Sequence, residues 1–285
     1  GRRVMQRYKD YSPTLFISSP KPSKYQTLDG KYVDEFKPGS IKESREFLER
    51  YKDVPNHAIY GQTQFVYQWI SDNFIDEREI PFDTSKVSIM SLDIETSSEE
   101  GFPNIETANE QVLLITVKES TSKMFVSWGL KPFDNKYKDV EYRYFEDEKD
   151  MLRDFIKFLN QIKPDVITGW NTRFFDIPYI VNRMAKVLGI HEINKLSPWQ
   201  LPLEHRKIVR RGSENDVYEI PGMQTLDYME LFQKFGYTYG PQESYALNHI
   251  AYVVLGEKKL SYEESGSLKN LYKDDHQKYI DYNMK

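Results

Sequence analysis

The 285-residue sequence contains no cysteine. Disulfides, thiolate metal sites, iron–sulfur clusters and cysteine nucleophiles are therefore excluded, and any catalytic metal must use oxygen or imidazole ligands. The same absence is compatible with a reducing cytoplasm. No apolar run approaches the roughly 18 residues of a transmembrane helix. The chain begins Gly-Arg-Arg-Val without an apolar signal region or an initiator Met, so we expect no membrane or targeting segment and a processed or truncated start.

An excess of positive charge is also lacking. The 39 Lys and Arg residues stand against 44 Asp and Glu, a net charge of −5, which argues against a protein that coats nucleic acid through a general basic surface. It does not argue against a nucleic-acid enzyme, because carboxylates loaded with divalent cations attract phosphate. The aromatic content of 14% argues against disorder, and the length favours two domains.

The first predicted domain, residues 1–85, is a small mixed α/β unit that ends in a charged linker at 76–83. Ser40 and Glu43 form a capping-box pattern that begins a helix. A second helical or extended stretch, 63–74, is expected to pack its apolar residues against that helix.

The second predicted domain, residues 86–285, has an α/β (α+β) pattern. Three consecutive strand patterns indicate a meander, and a helix, a buried strand and another helix then follow, which favours a mixed sheet with helices on its faces. These segments are 87–96, 112–117, 124–128, 145–159, 164–170 and a helix that begins near Asp176.

Two carboxylates lie near the end of the first of these strands. The strand period of two places Asp93 and Glu95 on one face and Ile94 on the other. If that face is covered, two adjacent anions are costly unless a divalent cation lies between them. A solvated acidic strand end is the simpler explanation of an isolated pair, so the motif alone is weak evidence for a metal site.

A second segment, 168–179, places Asp176 after a strand and at the start of a helix, where it can join the first pair. Asp176 and Asn171 could also be ordinary capping residues, although the full string is more specific than capping requires. In the third segment, 279–285, a helical continuation would put position 286 on the face of Tyr282.

Together these segments resemble the three exonuclease motifs of family B DNA polymerases, in the Asp-Glu-Asp-Asp superfamily with a tyrosine in the third motif. The matching strings are Asp93-Ile-Glu95, Trp170-Asn171 to Asp176-Ile-Pro178, and Tyr282-Asn283. Residues 1–85 are similar to the N-terminal domain of large tailed-phage, T-even-like replicative polymerases. The resemblance implies a ribonuclease-H-like 3′→5′ exonuclease domain at 86–285, truncated at its C-terminal end, with a fourth carboxylate expected at position 286.

The activity that the resemblance implies is proofreading within a DNA-directed DNA polymerase whose polymerase domains are missing from this sequence. The substrate would be the 3′ end of single-stranded or frayed DNA. Asp93, Glu95 and Asp176 would hold two Mg²⁺ or Mn²⁺ ions, and Tyr282 would orient the attacking water, unless it only packs its ring. Implied partners are primer–template DNA, the remaining polymerase domains and, through them, replisome proteins such as a sliding clamp, in the cytoplasm of a phage-infected bacterium.

The resemblance also implies six nucleic-acid contacts: Phe102, Asn171, Phe175, Arg210, Arg211 and Lys259. Phe102 would stack on the 3′-terminal bases or anchor a loop, and Lys259 would approach the scissile phosphate or be a solvated turn residue. Arg210 and Arg211, in a predicted hairpin with a Gly-Ser turn, would contact phosphate or be surface charges. Asp227 is expected to be structural, because it precedes an apolar helix.

The sequence leaves two alternatives to the proofreading interpretation. One is a free-standing exonuclease of the same superfamily. The other is a non-catalytic module that binds nucleic acid or a replisome partner through an incomplete metal site. Shortening of DNA from its 3′ end would support an enzyme, and binding without shortening would support the module.

Overall fold

The computed structural model describes residues 7–76, 83–97, 103–210, 212–258 and 267–284. The chain forms two compact units, 1–82 and 83–285. Most of the predicted linker lies outside the described residues. The assignment of residues 1–85 and 86–285 to two polymerase domains stays a prediction. None of the helices within the described ranges is long and apolar enough to cross a membrane.

The first unit contains an antiparallel sheet of order β2-β3-β1-β4 and two helices. The elements are β1 Leu15–Ser18, β2 Tyr25–Gln26, β3 Tyr32–Phe36, α1 Ile41–Tyr51, β4 Ile59–Tyr60 and α2 Phe65–Asn73. The predicted capping box begins α1: the Glu43 amide donates to the Ser40 side chain, and the Ser40 amide donates to Glu43 Oε2 at 2.7 Å. That prediction is confirmed.

Helix α2 buries less of its apolar surface than the sequence pattern predicts. Phe65 is buried, whereas Val66 and Ile70 are exposed. Trp69 packs on the ring of Tyr8, with 4.6 Å between ring centroids. Val66 and Ile70 therefore lie on the side of α2 that faces solvent, and the expectation that all these residues pack was wrong.

The second unit is built on a six-stranded sheet of order β12-β9-β5-β6-β7-β8. Its strands are β5 Ile89–Thr96, β6 Val112–Glu119, β7 Phe125–Gly129, β8 Val140–Tyr144, β9 Val166–Gly169 and β12 Gln224–Asp227, with the separate hairpin β10 Glu204–Arg210 and β11 Ser213–Glu219. Its α-helices are α3 Glu148–Ile162, α4 Asp176–Leu188, α5 Tyr228–Phe235, α6 Leu247–Leu255, α7 Leu268–Asp274 and α8 His276–Met284.

The sheet is mixed, as predicted. Strands β5, β6 and β7 form the expected antiparallel meander, while β12, β9 and β5 run parallel to one another, as do β7 and β8. Strand β8 was not predicted. It lies at the edge of the sheet and has only one buried residue, Val140, so its sequence carries little hydrophobic signal.

Helix α3 supplies much of the core beneath this sheet. All five apolar residues predicted for its inner face are buried: Met151, Leu152, Phe155, Ile156 and Leu159. The fully buried Trp128 of β7 packs edge-on against two α3 rings, Phe155 at 5.3 Å and Phe158 at 4.9 Å. Each such side chain contributes roughly 1.5–3 kcal/mol on burial, so this packing stabilises the sheet.

Side chains of helix α4 form hydrogen bonds to the backbone of residues 105–110, which follow strand β5. The Tyr179 hydroxyl donates to the carbonyl of Glu110 at 2.7 Å, and the Asn182 side-chain amide donates to the carbonyl of Ile105 at 2.9 Å. Arg183 donates to the carbonyl of Asn109 at 2.8 Å. The helix that begins with Asp176 therefore also holds residues 105–110.

Candidate active site

Strand β5 places two carboxylates on one face. Leu92 and Ile94 are each 4% exposed and point into the core, whereas Asp93 is exposed and Glu95 is half-buried. The shared face predicted from the strand period is confirmed. The site is open to solvent at Asp93.

Asp176 brings a third carboxylate to this strand. It is the first residue of α4 and is 3% exposed. Its Oδ1 accepts a hydrogen bond from the backbone amide of Ile94 at 3.1 Å. That amide lies between Asp93 and Glu95 in the chain, so Asp176 is bonded to β5 at the point where the other two motif carboxylates are located. Phe175, rather than Asp176, holds the N-cap position of the helix.

The electrostatics of Asp176 follow from this placement. Burial raises the pKa of its carboxyl well above the usual value, and the negative charge of Asp93 raises it further. The hydrogen bond from Ile94 opposes this shift but does not cancel it. The site therefore favours either a proton or a cation beside Asp176.

Helix α8 brings the third motif to the same strand. Nδ2 of Asn283 donates to Asp93 Oδ2 at 2.7 Å and lies 3.3 Å from Glu95 Oε1. The helix is anchored by Tyr279 and Ile280, each 2% exposed, which pack in a cluster with Leu114 of β6. Tyr282 is the neighbour of Asn283 and lies half-buried beside the carboxylates.

A cavity of about 650 Å³ opens along this face. Asp93, Glu95, Tyr282 and Asn283 form its polar wall. Its other walls are mainly apolar and aromatic, with Phe125, Trp170, Tyr228, Leu247 and Leu255 among them, and Lys118 and Lys258 also contribute. The volume lies within the range of small-ligand sites.

The three carboxylates have the ligand chemistry that a divalent cation requires. Carboxylate oxygens are the ligands that Mg²⁺ and Mn²⁺ prefer, and the anionic charge concentrated around buried Asp176 is what such an ion would neutralise. In the part of the chain that the structure describes, no group of three or more His, Asp or Glu side chains is close enough together to hold a metal ion.

The loop before α4 contains two of the predicted nucleic-acid contacts. Asn171 has a left-handed backbone, with φ of 66°, and its amide donates to Asp227 Oδ1 at 3.3 Å. Phe175 is half-buried and stacks on the ring of Tyr179, with centroids 5.9 Å apart. A role for either residue in binding DNA stays a prediction.

Arg210, the last residue of β10 before the hairpin turn, contacts the protein itself. Its guanidinium lies 4.5 Å from the centroid of the Phe174 ring, and its Nη2 donates to Gln233 Oε1 at 3.3 Å. Its Nη1 is 3.5 Å from Asn171 Oδ1. A phosphate contact by Arg210 stays a prediction. Three further predicted contacts, Phe102, Arg211 and Lys259, lie outside the described residues.

Asp227 has the structural role expected for it. It is 2% exposed and caps α5 by accepting from the amides of Met229 and Glu230. It also accepts from the amides of Asn171 and Arg173 in the loop before α4. One buried carboxylate thus holds the second motif against the start of α5.

Sequence reasoning missed two buried hydroxyls beside the site. Thr116 of β6 is 6% exposed and donates to Asn283 Oδ1, and Ser127 of β7 is fully buried at 2.9 Å from the Thr116 hydroxyl. The available signal was a single threonine in the otherwise apolar run Leu113 to Val117.

Comparison with known proteins identifies the family. The exonuclease domain of DNA polymerase family B matches residues 43–250, more than half of the chain. The chain belongs to this family. The mixed six-stranded sheet with its helices is consistent with the ribonuclease-H-like fold expected of such an exonuclease domain.

Two phage polymerases are similar to this family B chain over nearly its whole length. The DNA-directed DNA polymerase of Escherichia phage RB69 is 29% identical over 99% of the chain, and that of Enterobacteria phage T4 is 29% identical over 100%. These matches cover 33% and 35% of the phage proteins, so the chain spans about a third of their length. The DNA polymerase delta catalytic subunit of Candida albicans is 32% identical over 62% of the chain. The resemblance drawn from the motifs is therefore confirmed.

Proposed function

We propose that this chain is the 3′→5′ exonuclease portion of a DNA-directed DNA polymerase and hydrolyses the 3′-terminal phosphodiester of single-stranded or frayed DNA. The observation that supports it is the meeting of three motifs at strand β5. Asp93 and Glu95 lie on the strand, Asp176 bonds to its backbone, and Asn283 bonds to both strand carboxylates.

The cavity beside these groups suits a nucleotide. Its polar wall would face the reacting phosphate, and Phe125, Trp170 and Tyr228 would offer ring surface for a terminal base. Stacking on aromatic rings is worth about 1–3 kcal/mol per base and tolerates every base type. A proofreading site must accept any mispaired nucleotide, so binding through ring faces matches that requirement.

Asp93, Glu95 and Asp176 would hold two divalent cations, Mg²⁺ or Mn²⁺. When bound, such ions make a water nucleophilic at neutral pH and neutralise charge developing on the phosphate. Tyr282, in the cavity wall, would orient the attacking water by a hydrogen bond. Without cations the carboxylates would repel the phosphate, so we expect activity to require the metal.

The partners follow from the length of the relatives. Since the chain spans about a third of the phage polymerases, we propose primer–template DNA and further polymerase domains as its partners. Replisome proteins such as a sliding clamp would act through those domains, and the cytoplasm of an infected bacterium is the proposed setting.

The test is a digestion of a 5′-labelled single-stranded oligonucleotide in Mg²⁺ or Mn²⁺. We expect a ladder of products shortened from the 3′ end, lost with EDTA and with Asp93→Ala or Asp176→Ala. Asp139→Ala, at an exposed position, is the matched control and should digest normally. Undiminished digestion by Asp93→Ala would overturn the assignment of the site, and binding without shortening by the unaltered protein would favour the non-catalytic module.

A further inference from the structure

Two buried hydroxyl groups lie side by side next to the motif carboxylates. Thr116 and Ser127 are register partners in the β6–β7 pair, with their oxygens 2.9 Å apart. Their strand neighbours Ile115, Val117 and Val126 are buried and apolar. A buried hydroxyl is costly unless it is hydrogen-bonded. The bond between the two hydroxyls uses only one of their two protons, and Asn283 Oδ1 accepts the other.

The direction of each hydrogen bond in this group follows from the chemistry of the carboxylates. Ionised Asp93 and Glu95 can only accept hydrogen bonds, so the end of the Asn283 amide that faces them must be the NH₂ group. The amide oxygen then faces Thr116, whose single hydroxyl proton is used to bind it. Ser127 must therefore donate to Thr116, and the hydrogen bonds run in one direction from Ser127 to the carboxylates.

This chain of bonds holds the Asn283 amide in one orientation. A flip of the amide would direct its oxygen at two carboxylates and leave Thr116 without an acceptor. Thr116 is also the register partner of Asp93 in the β5–β6 pair, so the strand ladder sets its position relative to Asp93. The amide thus contacts one oxygen of each carboxylate from a preset direction.

We propose that Asn283, oriented by Thr116 and Ser127, is a positioning residue that sets the side chains of Asp93 and Glu95 for binding a divalent cation. The inference rests on the proposed metal-dependent exonuclease. Each carboxylate has two oxygens with about four lone-pair sites in all, so it can accept from the amide and bind a cation together. Loss of groups that orient metal ligands typically weakens metal affinity about 10–100-fold.

A purely structural role for these residues is less well supported. Helix α8 is already attached to the sheet through Tyr279 and Ile280, which are almost fully buried. A hydroxyl-to-amide chain that ends on two carboxylates adds little to that apolar contact. It does fix the orientation of the acidic groups.

The experiment compares Mn²⁺ binding by titration calorimetry without DNA, alongside digestion of a single-stranded oligonucleotide. Thr116→Val preserves the shape but removes the hydroxyl, and we expect Mn²⁺ binding to weaken about 10–100-fold. Asn283→Ala should give the same loss. Thr116→Ser retains the hydroxyl and should bind Mn²⁺ like the unaltered protein. Thr225→Val, at a buried threonine of β12 in the same sheet, is the matched control and should leave binding unchanged.

The outcomes separate this inference from the proposed function. If the unaltered protein binds Mn²⁺ and digests DNA but Thr116→Val and Asn283→Ala bind Mn²⁺ equally well, the inference is wrong and the proposed function stands. If the unaltered protein neither binds Mn²⁺ nor digests DNA, the proposed function fails and the inference fails with it. Should Thr116→Val not fold, Asn283→Ala decides the matter, because its half-buried position tolerates truncation.

Discussion

The backbone amide of Ile94 donates a hydrogen bond to Oδ1 of Asp176 at 3.1 Å. This contact joins the first residue of α4 to strand β5 at the point between Asp93 and Glu95. Because the donor is a main-chain group, substitution of the Ile94 side chain does not remove it. The backbone of β5 therefore holds Asp176, which is 82 residues after Ile94 in the chain, next to the strand that carries Asp93 and Glu95.

Asp176→Asn is expected to stabilise the metal-free protein at neutral pH. Burial, and then the charge of Asp93, raise the pKa of Asp176, so the folded state binds its proton more tightly than the unfolded state does. The stability that this group contributes is complete below the usual aspartate pKa of about 3.9 and is lost as the pH rises through the raised value. In EDTA, the Tm of the variant should exceed that of the unaltered protein at neutral pH but not at low pH.

Two further measurements check that explanation. Mn²⁺ should raise the Tm of the unaltered protein and leave that of Asp176→Asn nearly unchanged. Asp154→Asn is the control, because the pKa of Asp154 is shifted in the opposite direction. Burial opposes its charged form, but hydrogen bonds from Trp128 and Arg143 lower its pKa overall. That variant should be destabilised. Equal Tm values for Asp176→Asn and the unaltered protein at neutral pH would contradict the prediction.

Asp227→Ala should destabilise the fold strongly. Its carboxylate accepts from the amides of Asn171, Arg173, Met229 and Glu230 at 2.9 to 3.3 Å. Loss of an N-cap costs about 1 kcal/mol, and each buried amide left unpaired costs about 1–3 kcal/mol. We expect a loss of about 3 kcal/mol or more in urea unfolding, whereas Asp93→Ala, at an exposed position, should change stability little. Similar unfolding curves for the two variants would refute the assignment.

Arg183→Met is expected to cost about 3–5 kcal/mol of folding free energy. Arg183 binds Glu148 with two hydrogen bonds, Nε to Oε1 at 2.9 Å and Nη2 to Oε2 at 2.6 Å, and both side chains are nearly buried. Removing the cation leaves the Glu148 charge buried with only the Val112 amide as a remaining donor among these contacts. Adding Glu148→Gln should recover part of the loss in denaturant unfolding. A double variant less stable than Arg183→Met would count against this account.

Glu119→Gln should show a stability cost that shrinks in acid. Burial opposes the charged form of Glu119, but hydrogen bonds from the amides of Ser122 and Thr121 and the hydroxyls of Thr121 and Ser88 lower its pKa to about 2. The stabilisation is present above the usual glutamate pKa and is lost as the pH falls toward about 2, and the shift corresponds to about 3 kcal/mol at neutral pH.

The measurement is the difference in unfolding free energy between Glu119→Gln and the unaltered protein. We expect it to fall to about half or less between about pH 6 and about pH 3. Glu146→Gln, at an exposed position, should show no such trend. A difference that stays constant over this range would contradict the pKa assignment.

Several local features could be predicted because their causes are short-range. The strand period alone puts Asp93 and Glu95 together, and the Ser40 capping box depends on residues three positions apart. The hairpin was predicted too, and Gly212 has the left-handed φ of +81° that favours glycine in a turn, but Ser213, which was predicted to share the turn, is the first residue of β11 and pairs with Arg210. Val66 shows the limit of such reasoning, because its apolar character does not say which side of α2 the rest of the unit covers.

The sequence by itself determined the family and the local elements that present its candidate catalytic carboxylates, because motif spacing and helix and strand periods act over a few residues. Only the tertiary structure decided how these carboxylates are oriented. Asn283 is 190 residues from Asp93 and 167 from Thr116, and Arg210, beside the turn of the hairpin, packs on the ring of Phe174. The packing of α8 and of the hairpin within the second unit decides which of these distant residues form hydrogen bonds. Local sequence patterns do not say which distant residues come into contact.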